Sequence, residues 1–200
     1  MVDILHRVGI NASPRDVYNA LTTLDGLSSW WTSDTQGRPE TGGVIKFRFG
    51  DRGFFDMKVL ELEPEKHVMW EVVDGPKEWI GTKVIWNLSP EGAGTTIRFK
   101  QQGWREPVDF MHHCSTKWAS FLFSLKAQLE NGKGSPYPND FLIRSTLTEA
   151  ARRPADLLRT PISAPRRRGG EVRVRRQGRP LCPLPKFHAQ GFNGVQRRCG

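Results

Sequence analysis

Between residues 44 and 104 the chain alternates apolar and polar side chains in five successive runs. In VIKFRF (44–49), Ile45, Phe47 and Phe49 oppose Lys46 and Arg48. FFDMKVLELEP (54–64) sets Phe55, Met57 and Val59 against Asp56 and Lys58, and HVMWEVV (67–73) aligns Val68, Trp70 and Val72. WIGTKVIWNLSP (79–90) places Ile80, Thr82, Val84, Trp86 and Leu88 on one face. TTIRFKQQGW (95–104) places Thr95, Ile97, Phe99 and Gln101 opposite Thr96, Arg98, Lys100 and Gln102. A period of two marks strands with one buried face, and the turn-rich connections GDRG, PEK, VDGPKE and PEGAG make the runs an antiparallel meander. ILHRVGI (4–10) is a sixth such run, with Ile4, His6, Val8 and Ile10 on one side.

The remaining apolar positions follow the helical period. In NASPRDVYNALTTLDGLSSWW, Val17, Ala20, Leu21 and Leu24 form one stripe; Ser13 suits an N-cap, Pro14 the first helical position and Asp16 the third. Beyond Gly26 a second short helix carries Leu27, Trp30 and Trp31. Neighbours on a helix point about 100° apart, so one stripe holds both tryptophans only at its edges. One ring is free to pack into a core while the other lines a cavity or gate. The polar stretch that follows, SDTQG, reads as a turn. PVDFMHHCSTKWASFLFSLKAQLENGKG predicts a long helix of about 25 residues, with Phe110, Cys114, Trp118, Phe121, Leu122, Leu125 and Leu129 on one stripe. His113, Lys117, Ser120 and Ser124 form a polar stripe, and Gly132 suits the position after the last turn. An apolar sheet face and an apolar helix stripe must bury each other, which makes the domain α+β.

Charge changes the picture only after residue 144. The formal net charge is +9, yet residues 1–144 carry 17 Lys and Arg against 18 Asp and Glu, and residues 145–200 carry 13 against 3. The basicity belongs to the tail. All seven Trp and both Tyr precede it. Rich in Arg, Pro and Gly, the tail cannot bury enough apolar area to offset its ordering entropy, so the expected organisation is a domain over 1–144 and a disordered segment over 145–200. PRRRGG and RVRRQGR suit phosphate groups, but the tail interleaves only Phe187 and Phe192 among its cations, which disfavours nucleic acid as a partner. An inert extension or out-of-frame sequence fits better, because GC-rich codons yield Arg, Pro, Gly and Ala out of frame. Three scattered cysteines, Cys114, Cys182 and Cys199, argue against a disulfide framework. With no apolar run of about 18 residues and no signal-like N-terminus, the expectation is a cytoplasmic protein without a membrane span.

The chain has no serine-nucleophile motif, phosphate loop or carboxylate dyad, and Asp56, Glu61 and Glu71 fall mostly on outward faces, so no catalytic residue is assigned. His112, His113 and Cys114 diverge on a helix, and CPLPKFH lacks zinc spacing; neither a metal nor another cofactor is expected.

The order of elements and the words SPRDVYNALT, GLSSWWTSDT, EWIGTKVIWNL, GTTIRFKQQGW and HHCSTKWASFLFSLKAQLENGKGSPYPNDFLI resemble the START-like (SRPBCC) superfamily. Within it they resemble the branch named after the activator of the heat-shock ATPase, over about residues 4 to 143. The resemblance implies a helix-grip fold, in which a seven-stranded antiparallel sheet curves around the C-terminal helix and encloses an apolar pocket. It implies binding of a small hydrophobic or amphipathic molecule by a monomer or weak homodimer. It also brings two alternatives, a polyketide-cyclase-like enzyme and a co-chaperone of a heat-shock ATPase. In that fold the candidate lining is Phe47, Phe55, Met57, Trp70, Thr82, Trp86, Phe99 and Gln101 from the sheet and Met111, Trp118 and Leu122 from the helix. Trp30 and Trp31 would lie at the open end. Thr82 and Gln101 are polar on apolar faces and must be paired internally or offered to a ligand. Relatives often carry His where this chain has Gln101.

Overall fold

The computed structural model describes residues 1–143; the expected tail, with Cys182 and Cys199, lies outside the described residues. The elements run β1 (Val2–Ile10), α1 (Pro14–Thr22), α2 (Leu24–Trp30), β2 (Asp34–Gly37), β3 (Val44–Arg48), β4 (Phe54–Glu63), β5 (His67–Asp74), β6 (Lys83–Glu91), β7 (Gly94–Trp104) and α3 (Asp109–Asn131). The strands form one antiparallel sheet in the order β1-β7-β6-β5-β4-β3-β2, a meander whose first strand joins beside the last. This is the α+β helix-grip arrangement, with seven strands facing α3.

Local chemistry explains most boundaries. Ser13 caps α1 by accepting from the Asp16 N–H at 3.1 Å, and Pro14 opens the helix. Thr23 caps α2 in the same way through the Gly26 N–H at 3.0 Å. Gly132 ends α3 with φ +72°, the left-handed conformation that glycine adopts without strain.

Three sequence expectations are corrected. The polar stretch read as a turn contains β2, paired with β3 from Asp34↔Arg48 to Gly37↔Ile45. A short polar edge strand has no buried face, so no alternation announces it. The run 79–90 is a strand only from Lys83; before it a turn carries Trp79 inward and leaves Ile80 46% exposed. Gly81, at φ +83°, lets that turn fold back so that its N–H donates to the Val72 carbonyl. Ser124, expected on the polar stripe of α3, is buried. Its hydroxyl donates to the Trp30 carbonyl at 2.7 Å and accepts from the Ser135 N–H at 2.7 Å.

That serine anchors a strap, residues 133–143, which returns from α3 across α2. Gly134 passes so close to α2 that a Cβ there would sit 2.4 Å from the Ser29 carbonyl oxygen. Further along, the Tyr137 N–H donates to the Trp31 carbonyl at 2.9 Å and the Ser33 N–H donates to the Tyr137 carbonyl at 3.1 Å. Lys117 holds the Asp140 carboxylate from α3. Among the described residues no helix is long and apolar enough to cross a membrane.

Candidate functional site

The space between sheet and helix is filled at its middle and open at one end. In the middle, Trp70, Trp86 and Phe99 from the sheet meet Trp30, Trp31 and Trp118, with Trp86 to Phe99 at 4.8 Å and Phe99 to Trp118 at 4.6 Å between ring centroids. All six side chains are 2% exposed or less. Such offset and edge-on contacts add roughly 1 kcal/mol per pair beyond the area they bury.

A polar chain crosses this core. Trp118 Nε1–H donates to Gln101 Oε1 at 2.8 Å, Gln101 Nε2 donates to the Thr82 hydroxyl at 3.2 Å, and that hydroxyl donates to the Trp79 carbonyl at 2.7 Å. The two polar residues of the inner sheet face therefore satisfy each other and the indole. Turned toward one another, their polar groups tie α3 to β7 and to the turn that precedes β6.

The open end is a cavity of about 180 Å³. Its walls come from the β3–β4 turn (Phe49, Arg52, Gly53), the start of β4 (Phe54, Phe55), the β5–β6 turn (Pro76, Trp79), α3 (Phe110, His113, Cys114, Lys117, Trp118, Phe121), Trp31 and the strap (Tyr137, Asp140, Ile143). Phe55 stacks on Trp79 at 4.1 Å, and Trp79 lies 5.8 Å from Trp118 at an interplanar angle of 20°. An engineered apolar cavity of about 150 Å³ accepts benzene, so this space suits a ring of that size with a small substituent.

Three of the expected lining residues, Trp31, Phe55 and Trp118, stand on these walls. Trp30, Phe47, Met57, Trp70, Thr82, Trp86, Phe99, Gln101, Met111 and Leu122 are buried in the core and do not line the cavity. The paired tryptophans divide in this respect. Trp30 is pinned by its Nε1–H to the Ala20 carbonyl at 3.0 Å, whereas Trp31 caps α2 and reaches the cavity. Their rings nevertheless stack, 5.8 Å apart and 10° from parallel, because Trp31 lies past the helix end and is released from helical spacing.

Missing from the sequence reading were Phe49, Phe54, Trp79, Phe121 and the polar walls Arg52, Lys117, Tyr137 and Asp140. Phe49 and Phe121 lay on the recognised apolar faces. Lys117 lay on the polar stripe of α3 and Phe54 opens β4, whereas Arg52, Trp79, Tyr137 and Asp140 sit in turns and the strap, where no periodicity points inward.

Titration at the cavity is governed by burial. Desolvation lowers the His113 pKa, and the nearby Lys117 charge lowers it further, so the imidazole is neutral at pH 7. Burial pushes the Cys114 thiol up to about 12, against the opposing effect of the Trp79 N–H directed at its sulfur from 3.3 Å. A thiol so placed is a small apolar wall and a poor nucleophile. His112 is exposed, His113 half-buried and Cys114 buried, so the three neighbours face different surroundings.

Among curated proteins no sequence matches this chain. The chain is similar to the Aha1 dimer from Colwellia psychrerythraea, solved in solution: 49% identity, TM-score 0.63, covering 67% of this chain and 100% of that one. Two more distant similarities concern the fold alone. CalU16 from Micromonospora echinospora is 19% identical with a TM-score of 0.60, covering 74% of this chain and 77% of its own. SSP2350 from Staphylococcus saprophyticus is 18% identical with a TM-score of 0.57, covering 66% and 95% respectively. The family model described as "Activator of Hsp90 ATPase homolog 1-like protein" matches residues 11–130, more than half of the sequence, and the chain belongs to that family.

Proposed function

We propose that residues 1–144 form a binding unit for a small apolar or amphipathic molecule, held in the cavity between the turns, α3 and the strap. The observation that carries this reading is an opening of about 180 Å³ walled by nine aromatic side chains at the end of an otherwise filled core. Desolvation supplies the affinity: burying about 200 Å² of apolar ligand area contributes roughly 5 kcal/mol before association costs. Orientation falls to the polar wall, since Thr82 and Gln101 are already bonded to each other. The cyclase-like alternative needs a proton-transfer group on the cavity wall. Of Thr82, Gln101 and His113, the three candidates for that role, His113 is the one on the wall. A native mass spectrum of the protein from its own host tests the binding reading. A reproducible small-molecule adduct supports it; a clean apo mass, with no change in tryptophan fluorescence on adding one- and two-ring aromatics, overturns it.

The family and the 49% identity to a dimeric Aha1 support a second reading, assembly as a weak homodimer that stimulates a heat-shock ATPase. Sedimentation across a concentration series tests the dimer, and an ATPase assay with the purified chaperone tests the stimulation. The same comparison supports the boundary near residue 144, because 67% of this chain accounts for the whole of that relative.

A further inference from the structure

The cavity's walls are mostly aromatic but carry charge as well. Phe55, Trp79, Trp118 and Phe121 line it together with Arg52, Lys117 and Asp140, and of the two cations Arg52 is exposed, next to the exposed Gly53, whereas Lys117 is half-buried on α3. The two cations are not equivalent. Lys117 Nζ holds the Asp140 carboxylate and donates to the Phe141 carbonyl at 2.7 Å, so its charge is answered. Among the described residues no carboxylate pairs with Arg52, whose guanidinium lies 5.7 Å from the centre of the Tyr137 ring. Arg52 and Lys117 against Asp140, with His113 neutral, leave the walls one positive charge in excess.

A guanidinium stacked on an aromatic face keeps its planar fork of N–H donors available, and that fork matches a carboxylate in two parallel hydrogen bonds. The inner walls favour a flat body. Phe55, Trp79 and Trp118 form a nearly parallel ladder, with successive interplanar angles of 26° and 20°, which a further planar ring extends.

Building on the binding reading above, we infer that this cavity takes a small aromatic monoanion, its ring packed at an end of the Phe55–Trp79–Trp118 ladder and its carboxylate at Arg52.

Cinnamate and cinnamyl alcohol share a body and differ in the anionic group, which makes them the test pair. Each is titrated into the full-length chain at 0.15 M salt, with the indole N–H signals followed by NMR, and the titrations are repeated with Arg52→Gln and Arg52→Lys. The expected result is about tenfold tighter binding of cinnamate than of the alcohol. Arg52→Gln removes that preference, bringing the acid down to the affinity of the alcohol, and Arg52→Lys keeps part of it; dispersed indole signals of each variant before any probe is added show that it is folded. The tail's cations are common to all three proteins and cancel in the comparison. Equal binding of acid and alcohol by the wild type, or cinnamate binding unaffected by Arg52→Gln, overturns the inference. If neither compound moves any indole signal, the binding reading fails and this inference with it.

Discussion

Trp118 borders two regions of very different density. Toward the middle of the sheet its ring packs on Phe99 at 4.6 Å and Trp86 at 5.9 Å, and its indole N–H reaches Gln101. Toward the end it faces the cavity with Trp79 and Phe121. Both regions are rich in aromatic residues, so composition does not separate them. Support does. Trp70, Trp86 and Phe99 stand on paired strands whose register, Trp70↔Val84 and Trp86↔Phe99, fixes their spacing beneath the helix. Most of the cavity's sheet-side walls belong to the turns at 49–53 and 75–82, with Phe54 and Phe55 at the very start of β4. Those turns must satisfy their own backbone groups before they can close on α3. A filled core and an open pocket thus arise under one helix, according to whether the facing residues are in a sheet.

The largest expected effect lies in the filled region. Trp86→Ala removes a fully buried indole where neighbours are held by strand register and cannot collapse, costing about 3–5 kcal/mol in urea unfolding. A cost below about 1 kcal/mol would mean that the middle is as loose as the end. Gln101→Leu comes next. It leaves the buried Trp118 N–H without its acceptor, at about 1–3 kcal/mol, and a double-mutant cycle with Trp118→Phe should recover most of that cost. In the open region Phe55→Ala trims a half-buried ring that already faces empty space, so about 1–2 kcal/mol is expected, with a larger proportional loss of bound aromatic probe.

The smallest effect concerns Cys114. Its thiol, held protonated up to about 12, should resist iodoacetamide at pH 8 in the folded chain and react on denaturation, as peptide-resolved mass spectrometry would show. A folded pKa raised above the ordinary 9.0 also makes a contribution to stability that is present below about pH 9 and lost as pH rises toward about 12. Cys114→Ala should flatten that part of the profile. Rapid labelling in the folded state would mean that the cavity wall opens wider than the static packing implies.

Legibility followed the same division. The alternation of Ile45, Phe47 and Phe49, or of Val84, Trp86 and Leu88, is a direct imprint of the pleat, and the α3 stripe is an imprint of the helical period. Ser13, Pro14 and Gly132 act through the local backbone and are readable for that reason. Strand β2 left no such mark: its four residues, DTQG, bury no face and are strand only because β3 offers an edge. Ser124 looked solvent-facing until the strap and the Trp30 carbonyl supplied its partners. PYPND was legible as a family word, while its physical task, bringing Tyr137 and Asp140 to the cavity, was not.

Taken alone, the sequence determined a sheet with one apolar face, a long amphipathic helix to cover it and a composition break near residue 145, because period and local capping chemistry are short-range properties. Only the tertiary structure decided which aromatic residues close against one another and which surround a void. It also decided that Gln101 and Thr82 bond each other, and that Arg52 stands at the cavity without a carboxylate partner among the described residues. Those outcomes depend on contacts between residues far apart in the chain, such as Arg52 with Tyr137 and Gln101 with Trp118, and no periodic pattern encodes where a turn stops short of a helix.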